Sequence, residues 1–116
     1  MSDIDYAARV QRGAALLDEK WPTWAQDIDL DTLDVWSTTS CVTAQYAAHK
    51  GAESRFSEGQ RLLGLTKREY IDHGFNTDPD SEADYLSREA YQPLNTLWRD
   101  LIQERRGQAQ PEASER

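Results

Sequence analysis

The chain has 116 residues, a net charge of −8 and one cysteine, Cys41. That length suits one domain with a single core, and a lone cysteine excludes both an intramolecular disulfide and a cysteine-built metal cluster. The acidic balance disfavours generic binding to nucleic acid or anionic membranes, because both need a cationic face.

The first element predicted is a helix over "SDIDYAARVQRGAALLDEKW", with Ser2 or Asp3 as cap and Ile4, Ala7, Val10, Ala14, Leu17 and Trp21 stepping by three or four. Gly13 lowers helix propensity there, which points to a close neighbour. Pro22 ends the pattern, and "PTWAQDI" makes a short helix starting at Pro22 or Thr23. "DIDLDTLD", residues 27–34, then reads as a turn-like crossing anchored by Ile28, Leu30, Leu33 and Val35. A strand would need a partner, and no second candidate exists.

"TTSCVTAQYAAHKG" is expected to be a helix with hydroxyl caps, stopped at Gly51, and "AESRFSEGQRLLG" a further one closed by Gly64. In "LTKREYIDHGF", Thr66 and Glu69 fit a capping box, and Gly74 ends a short helix. "NTDPD" has turn chemistry. From Ser81 to about Arg106 the pattern Leu86, Ala90, Leu94, Leu97, Trp98, Leu101 predicts a last helix, with a kink or break at Pro93. The expectation is an all-α fold: a compact single-domain bundle of five or six helices over 1–106 with short connecting turns, followed by a disordered polar tail over 107–116. Apolar content is low at 38%, but four Trp, five Tyr and two Phe supply large buried area per residue.

The four aspartates of the crossing suggest a calcium loop, yet an EF-hand wants carboxylates at positions 1, 3 and 5, glycine at 6 and glutamate at 12. Counting from Asp27 puts Thr32 at position 6 and Thr38 at 12; counting from Asp29 puts Leu33 at position 5 and Ser40 at 12. Both registers fail. The aspartates therefore cap turns or face water while Ile28, Leu30 and Leu33 point inward. Trp36 follows them directly. If exposed, it is a hot-spot anchor for a partner protein; burial is the alternative, and both stay open. The candidate partner-binding residues are thus Asp27, Asp29, Asp31, Asp34 and Trp36, with Trp21, Trp24 and Trp98 assigned to the core.

Catalytic chemistry is hard to assemble. Cys41, Gln45 and His49 step by four along one helix face, but Cys41 and His49 would stand about 12 Å apart along the axis, too far for proton transfer. A position near a helix N-terminus would lower the thiol pKa, whereas burial as a small apolar residue is the commoner outcome. With two histidines and no clustered partners, neither a zinc site nor a triad is visible, and the glycines fit helix ends rather than a phosphate loop. The expectation is no enzyme and no cofactor.

Charge is unevenly placed. Residues 1–34 carry eight acids against three bases, residues 35–75 four against five, residues 76–102 six against two, and residues 103–116 three of each. The basic middle contains "EGQRLLGLTKREYIDHGF", which has the outline of a helix-turn-helix. A nucleic-acid-binding regulator using residues 55–75 is therefore the alternative function, disfavoured by Glu69, Asp72 and the shortness of the second helix. Mimicry of DNA by the carboxylates is a third reading. No apolar run reaches membrane-spanning length, and "MSDIDYAARV" has neither a basic nor an apolar signal region, so a cytoplasmic location without membrane contact is expected. The two long helices either pack within the chain or form a homodimer seam.

The order "RGAALLDEKWPTWAQDIDLDTLDV", "CV.AQY", "HGF", "LWRDLIQERR" resembles a set of small uncharacterised proteins of actinobacteria and their phages. The resemblance spans most of the chain, and its motifs look like packing motifs with no catalytic residue to carry over. It implies an intracellular phage-type accessory protein, expected to dock onto a host protein in the host cytoplasm.

Overall fold

In the computed structural model of the chain, residues 5–77 and 88–109 are described. The order is α1 (Tyr6–Lys20), α2 (Trp24–Asp27), α3 (Val42–His49), α4 (Phe56–Leu63), α5 (Lys67–Asp72), a 3₁₀ turn (Arg88–Tyr91) and α6 (Gln92–Ala109). The fold is an all-α bundle with six α-helices and no strand among the described residues.

Local sequence explains most of the helix boundaries. Asp5 caps α1 by accepting the Ala8 N–H at 3.0 Å; the expected caps Ser2 and Asp3 lie outside the described residues. On the apolar side of α1, Val10, Ala14 and Leu17 are buried, whereas Ala7 is exposed. Thr66 and Glu69 form the capping box of α5, and Gly64 closes α4 with a left-handed φ of 73°. The hydroxyls before α3 do not cap it. Cys41 takes the N-cap position with no side-chain hydrogen bond. The Ser37 hydroxyl instead accepts from the backbone N–H groups of Thr39 and Ser40 at 3.2 and 3.1 Å, forming a local turn that competes with capping.

The break foreseen at Pro93 is present. The chain passes from the 3₁₀ turn into α6 at Gln92, so Pro93 sits in the first turn of α6, where a missing N–H is harmless. The turn expected at "NTDPD", from Asp78 onward, and the helical pattern expected from Ser81 through Leu86 lie outside the described residues, as does the tail from Gln110. α6 itself runs to Ala109, past the boundary expected at Arg106.

An aromatic ladder compensates for the low apolar content. Trp24 meets Trp98 edge-on at 5.8 Å, Trp98 stacks on Phe75 at 5.5 Å, and Phe75, Tyr70 and Phe56 continue at 5.5 and 6.1 Å. These rings come from α2, α6, the end of α5 and α4, so one series of contacts ties both ends of the chain together. Leu17, Ile28, Leu94 and Ile102 fill the space around it with almost no exposure. Each ring pair adds roughly 0.5–1.5 kcal/mol beyond area burial. The Trp98 indole N–H donates to the Gly74 carbonyl at 2.8 Å, so this buried polar atom is satisfied. No helix among the described residues is long and apolar enough to cross a membrane.

Candidate functional site

The crossing from α2 to α3 is built on alternate burial. Ile28, Leu33 and Val35 are buried, and Leu30 packs half-buried against the same core. The residues between them turn outward and organise the backbone. Asp29 Oδ1 accepts the Asp31 N–H, and Asp34 Oδ1 accepts the Trp36 N–H, each at 3.0 Å. Both are short aspartate turns, the geometry this residue type favours in loops. Asp27 belongs to the α1–α2 corner: its Oδ2 accepts from the Trp21 indole at 3.2 Å and the Thr23 hydroxyl at 2.6 Å. Asp31 is exposed.

Three elements hold this loop from behind. From α3, the Gln45 side chain accepts the Asp29 N–H at 2.7 Å and donates to the Asp29 and Ser40 carbonyls at 3.3 and 3.2 Å. From α6 come Asn95, Arg99 and Arg106, separated by four and seven residues and so placed along one side, and the preceding 3₁₀ turn adds Arg88. Arg88 pairs with Asp34 at 2.8 Å, and the Asn95 side-chain oxygen accepts the Val35 N–H at 2.7 Å. Arg99 donates to the Leu33 carbonyl at 2.7 Å. Arg106 donates to the Ala25 carbonyl at 2.7 Å and also to that of Ile28. The last two bonds satisfy carbonyls at and beyond the C-terminal end of α2, where a cation is favoured.

Trp36 is 41% exposed and is the one large hydrophobic residue so exposed among the described residues. Arg88 lies over its ring at 4.5 Å while holding Asp34, so the indole is braced from one side by a cation that is itself anchored. Behind Trp36 is a pit of about 80 Å³ walled by Val35, Cys41, Phe56, Tyr70, Phe75 and Tyr91. Next to it lies a groove of about 580 Å³ bordered by Thr32, Asp34, Trp36 and Arg88. A further groove of about 410 Å³, bordered by Asp27, Asp29, Gln45 and His49, shares Thr32 and Ser40 with the second. The five candidate residues are therefore distributed: Asp34 and Trp36 on one groove, Asp27 and Asp29 on the next, Asp31 exposed on the loop between.

The cysteine and histidine do not meet. Cys41 is buried, and burial pushes its thiol pKa up rather than down. Its Sγ lies 3.6 Å from the Thr43 hydroxyl, which pairs with the Tyr70 hydroxyl at 2.7 Å. Burial likewise pushes the Tyr70 phenol well above its ordinary value. His49 lies at the far end of α3, stacked on Trp21 at 4.6 Å. No group of three His, Cys, Asp or Glu side chains that could hold a metal ion occurs among the described residues.

In the basic middle segment, α4, the glycine turn and α5 do form a helical hairpin. Its arginines, however, are paired within it: Arg61 with Glu58 at 2.8 Å, Arg68 with Asp72 at 2.9 Å and Arg55 with Glu53 at 3.2 Å. Tyr70 and Ile71 of α5 are buried, leaving little of this six-residue helix to enter a groove.

Reading the residues one by one missed the clamp formed by Arg88, Asn95, Arg99 and Arg106. Their spacing was present as a polar stripe beside the Leu94–Trp98–Leu101 face, but nothing local indicates that its donors reach carbonyls more than sixty residues away. No family model, curated protein or solved structure matches the chain.

Proposed function

We propose that this chain is a small, acidic, non-catalytic protein-binding module working in the cytoplasm. If it is phage-encoded, as the motif order discussed above implies, it docks onto a host protein and alters that protein's activity. The observation that carries this reading is Trp36: a large, rigid aromatic, exposed beside a groove and braced by the Arg88–Asp34 pair. Exposed tryptophans held in one orientation are favoured anchors, because little side-chain entropy is lost on docking. The burial of Cys41 and its distance from His49 along α3 also favour binding over nucleophilic catalysis.

The nucleic-acid reading is weaker because the arginines of residues 55–75 already have carboxylate partners. The DNA-mimic reading is weakened because Asp18, Asp34 and Asp72 are already paired with arginines of the chain. Affinity capture with crosslinking in a host cell, run with wild type and Trp36→Ala, tests the proposal. A host protein retained by the wild type and lost from the variant supports it. No protein above background, with the fold shown intact by circular dichroism, would reject it; so would a low-salt DNA mobility shift abolished by replacing Arg61, Lys67 and Arg68.

A further inference from the structure

The three hollows along the crossing lie side by side, the first two sharing Trp36 and Tyr91 and the last two Thr32 and Ser40, and the two ends of this trough differ in chemistry. At one end the pit behind Trp36 has a volume of about 80 Å³, with Val35, Phe56, Tyr70 and Phe75 in its walls beside the polar Ser37, Thr38 and Asn76. An apolar cavity that accepts benzene measures about 150 Å³. The pit is about half that size, which favours a branched aliphatic side chain over an aromatic ring. Its other wall residues, Phe56, Tyr70 and Phe75, are fixed in the aromatic ladder, so the pit cannot widen without disturbing the core.

At the other end stand Asp27 and Asp29. Three aspartates pair with arginines among the described residues: Asp18 with Arg105, Asp34 with Arg88 and Asp72 with Arg68. Asp27 and Asp29 instead accept only from neutral donors, namely the Trp21 indole, the Thr23 hydroxyl and the Asp31 N–H. Their charge is oriented but not neutralised, on a chain of net charge −8. A cation supplied from outside is the complement. We infer that the trough receives an extended segment of a partner protein that seats a branched aliphatic side chain in the pit beside Trp36 and a lysine or arginine against Asp27 and Asp29. The inference rests on the protein-binding reading above and adds the chemistry of the partner.

Fluorescence anisotropy of short labelled peptides, titrated with the full chain, tests it. One peptide set carries a leucine a few residues from a Lys-Arg pair. Matched sets replace the leucine with serine or with tryptophan, or the basic pair with two glutamates. Saturable binding is expected for the leucine–basic set alone, weakening as salt rises. Trp36→Ala should weaken it at least about tenfold. Asp29→Asn, which keeps the turn to Asp31 but removes the charge, should weaken it as well. Thr32→Arg, at an exposed position shared by both grooves, should block it while leaving the helical spectrum intact. Equal binding of the serine or glutamate sets, or no binding by any set, overturns the inference. A concentration-dependent dimer lost in Trp36→Ala overturns it in favour of a second copy of this chain. A host protein captured equally by wild type and Trp36→Ala removes the trough while leaving a protein-binding module elsewhere on the surface.

Discussion

Gly13 of α1 faces the backbone carbonyl of His73 so closely that no side chain fits between them. A Cβ on Gly13 would lie well inside 3.0 Å of that oxygen and 3.1 Å from the Trp98 ring. The carbonyl has little freedom to retreat, because the next residue, Gly74, has a φ of 77° and itself approaches the backbone of Val10. Two effects oppose each other in Gly13→Ala: helix propensity favours alanine by about 1 kcal/mol, while overpacking against fixed backbone costs about 1–3 kcal/mol. The clash is with backbone rather than a flexible side chain, which puts the cost toward the upper end, so the variant should be net destabilised by up to about 2 kcal/mol. Urea unfolding measures this, and a gain in stability would refute the close seating of α1 against the end of α5.

That contact also marks how far the sequence could be read. A glycine inside an apolar helical stripe signals a near neighbour without naming it, and the neighbour proved to be the turn after α5 together with α6. The capping box of Thr66 and Glu69 was fully legible because both partners lie within one turn. The burial of Ile28, Leu33 and Val35 followed from their spacing among aspartates. The exposure of Trp36 was not legible, since its neighbours Val35 and Ser37 allow either outcome, and what decides it is the position of Arg88 and the pit wall. The clamp from α6 was likewise hidden, because bonds from side chains to distant carbonyls impose no residue type on the acceptor.

The Asp18–Arg105 pair gives a pH dependence with a definite sign. Two hydrogen bonds from Arg105, at 2.8 and 3.1 Å, hold the Asp18 carboxyl below its ordinary pKa, aided by the Trp24 indole N–H at 2.8 Å and opposed by partial burial. A pKa lowered by folding contributes stability above the unfolded value, near 3.9, and that stability is lost as pH falls through the folded value. The Asp18 side chain is 45% exposed, so solvent screening limits the contribution to about 0.5–1 kcal/mol or less. Asp18→Asn should therefore be slightly less stable than wild type at neutral pH, with the gap closing below about pH 4. A gap that stays constant down to pH 2 would show that packing rather than charge is responsible.

Cys41 should be silent toward thiol reagents in the native state. Its side chain is buried at the N-cap of α3, and desolvation raises the pKa despite hydrogen bonds from Thr43 and the Ala44 backbone. Reactivity requires the thiolate, so both accessibility and ionisation oppose it. Labelling with an aromatic disulfide at neutral pH should proceed only at the rate of unfolding and become fast in denaturant. Fast labelling of the folded chain would reopen the possibility that this thiol has a chemical role.

Asn95 connects the last helix to the proposed docking surface. Its side-chain oxygen accepts the partly buried Val35 N–H at 2.7 Å, and its amide nitrogen reaches Asp34 Oδ1 at 3.4 Å. Leucine at this position leaves the Val35 N–H without its acceptor, an expected cost of about 1–3 kcal/mol. The damage should be local first, since Trp98 and Leu94 keep α6 packed against α1 and α2. Hydrogen exchange should therefore accelerate at Val35 and Trp36 more than at Val10 or Leu17 in Asn95→Leu. Binding of a partner at Trp36 should weaken in parallel, because the Asp34–Arg88 brace stands on the same turn. Unchanged exchange at Val35 would mean that the crossing is held by Arg99 and Gln45 without Asn95, and that the orientation of Trp36 does not depend on α6 at this point.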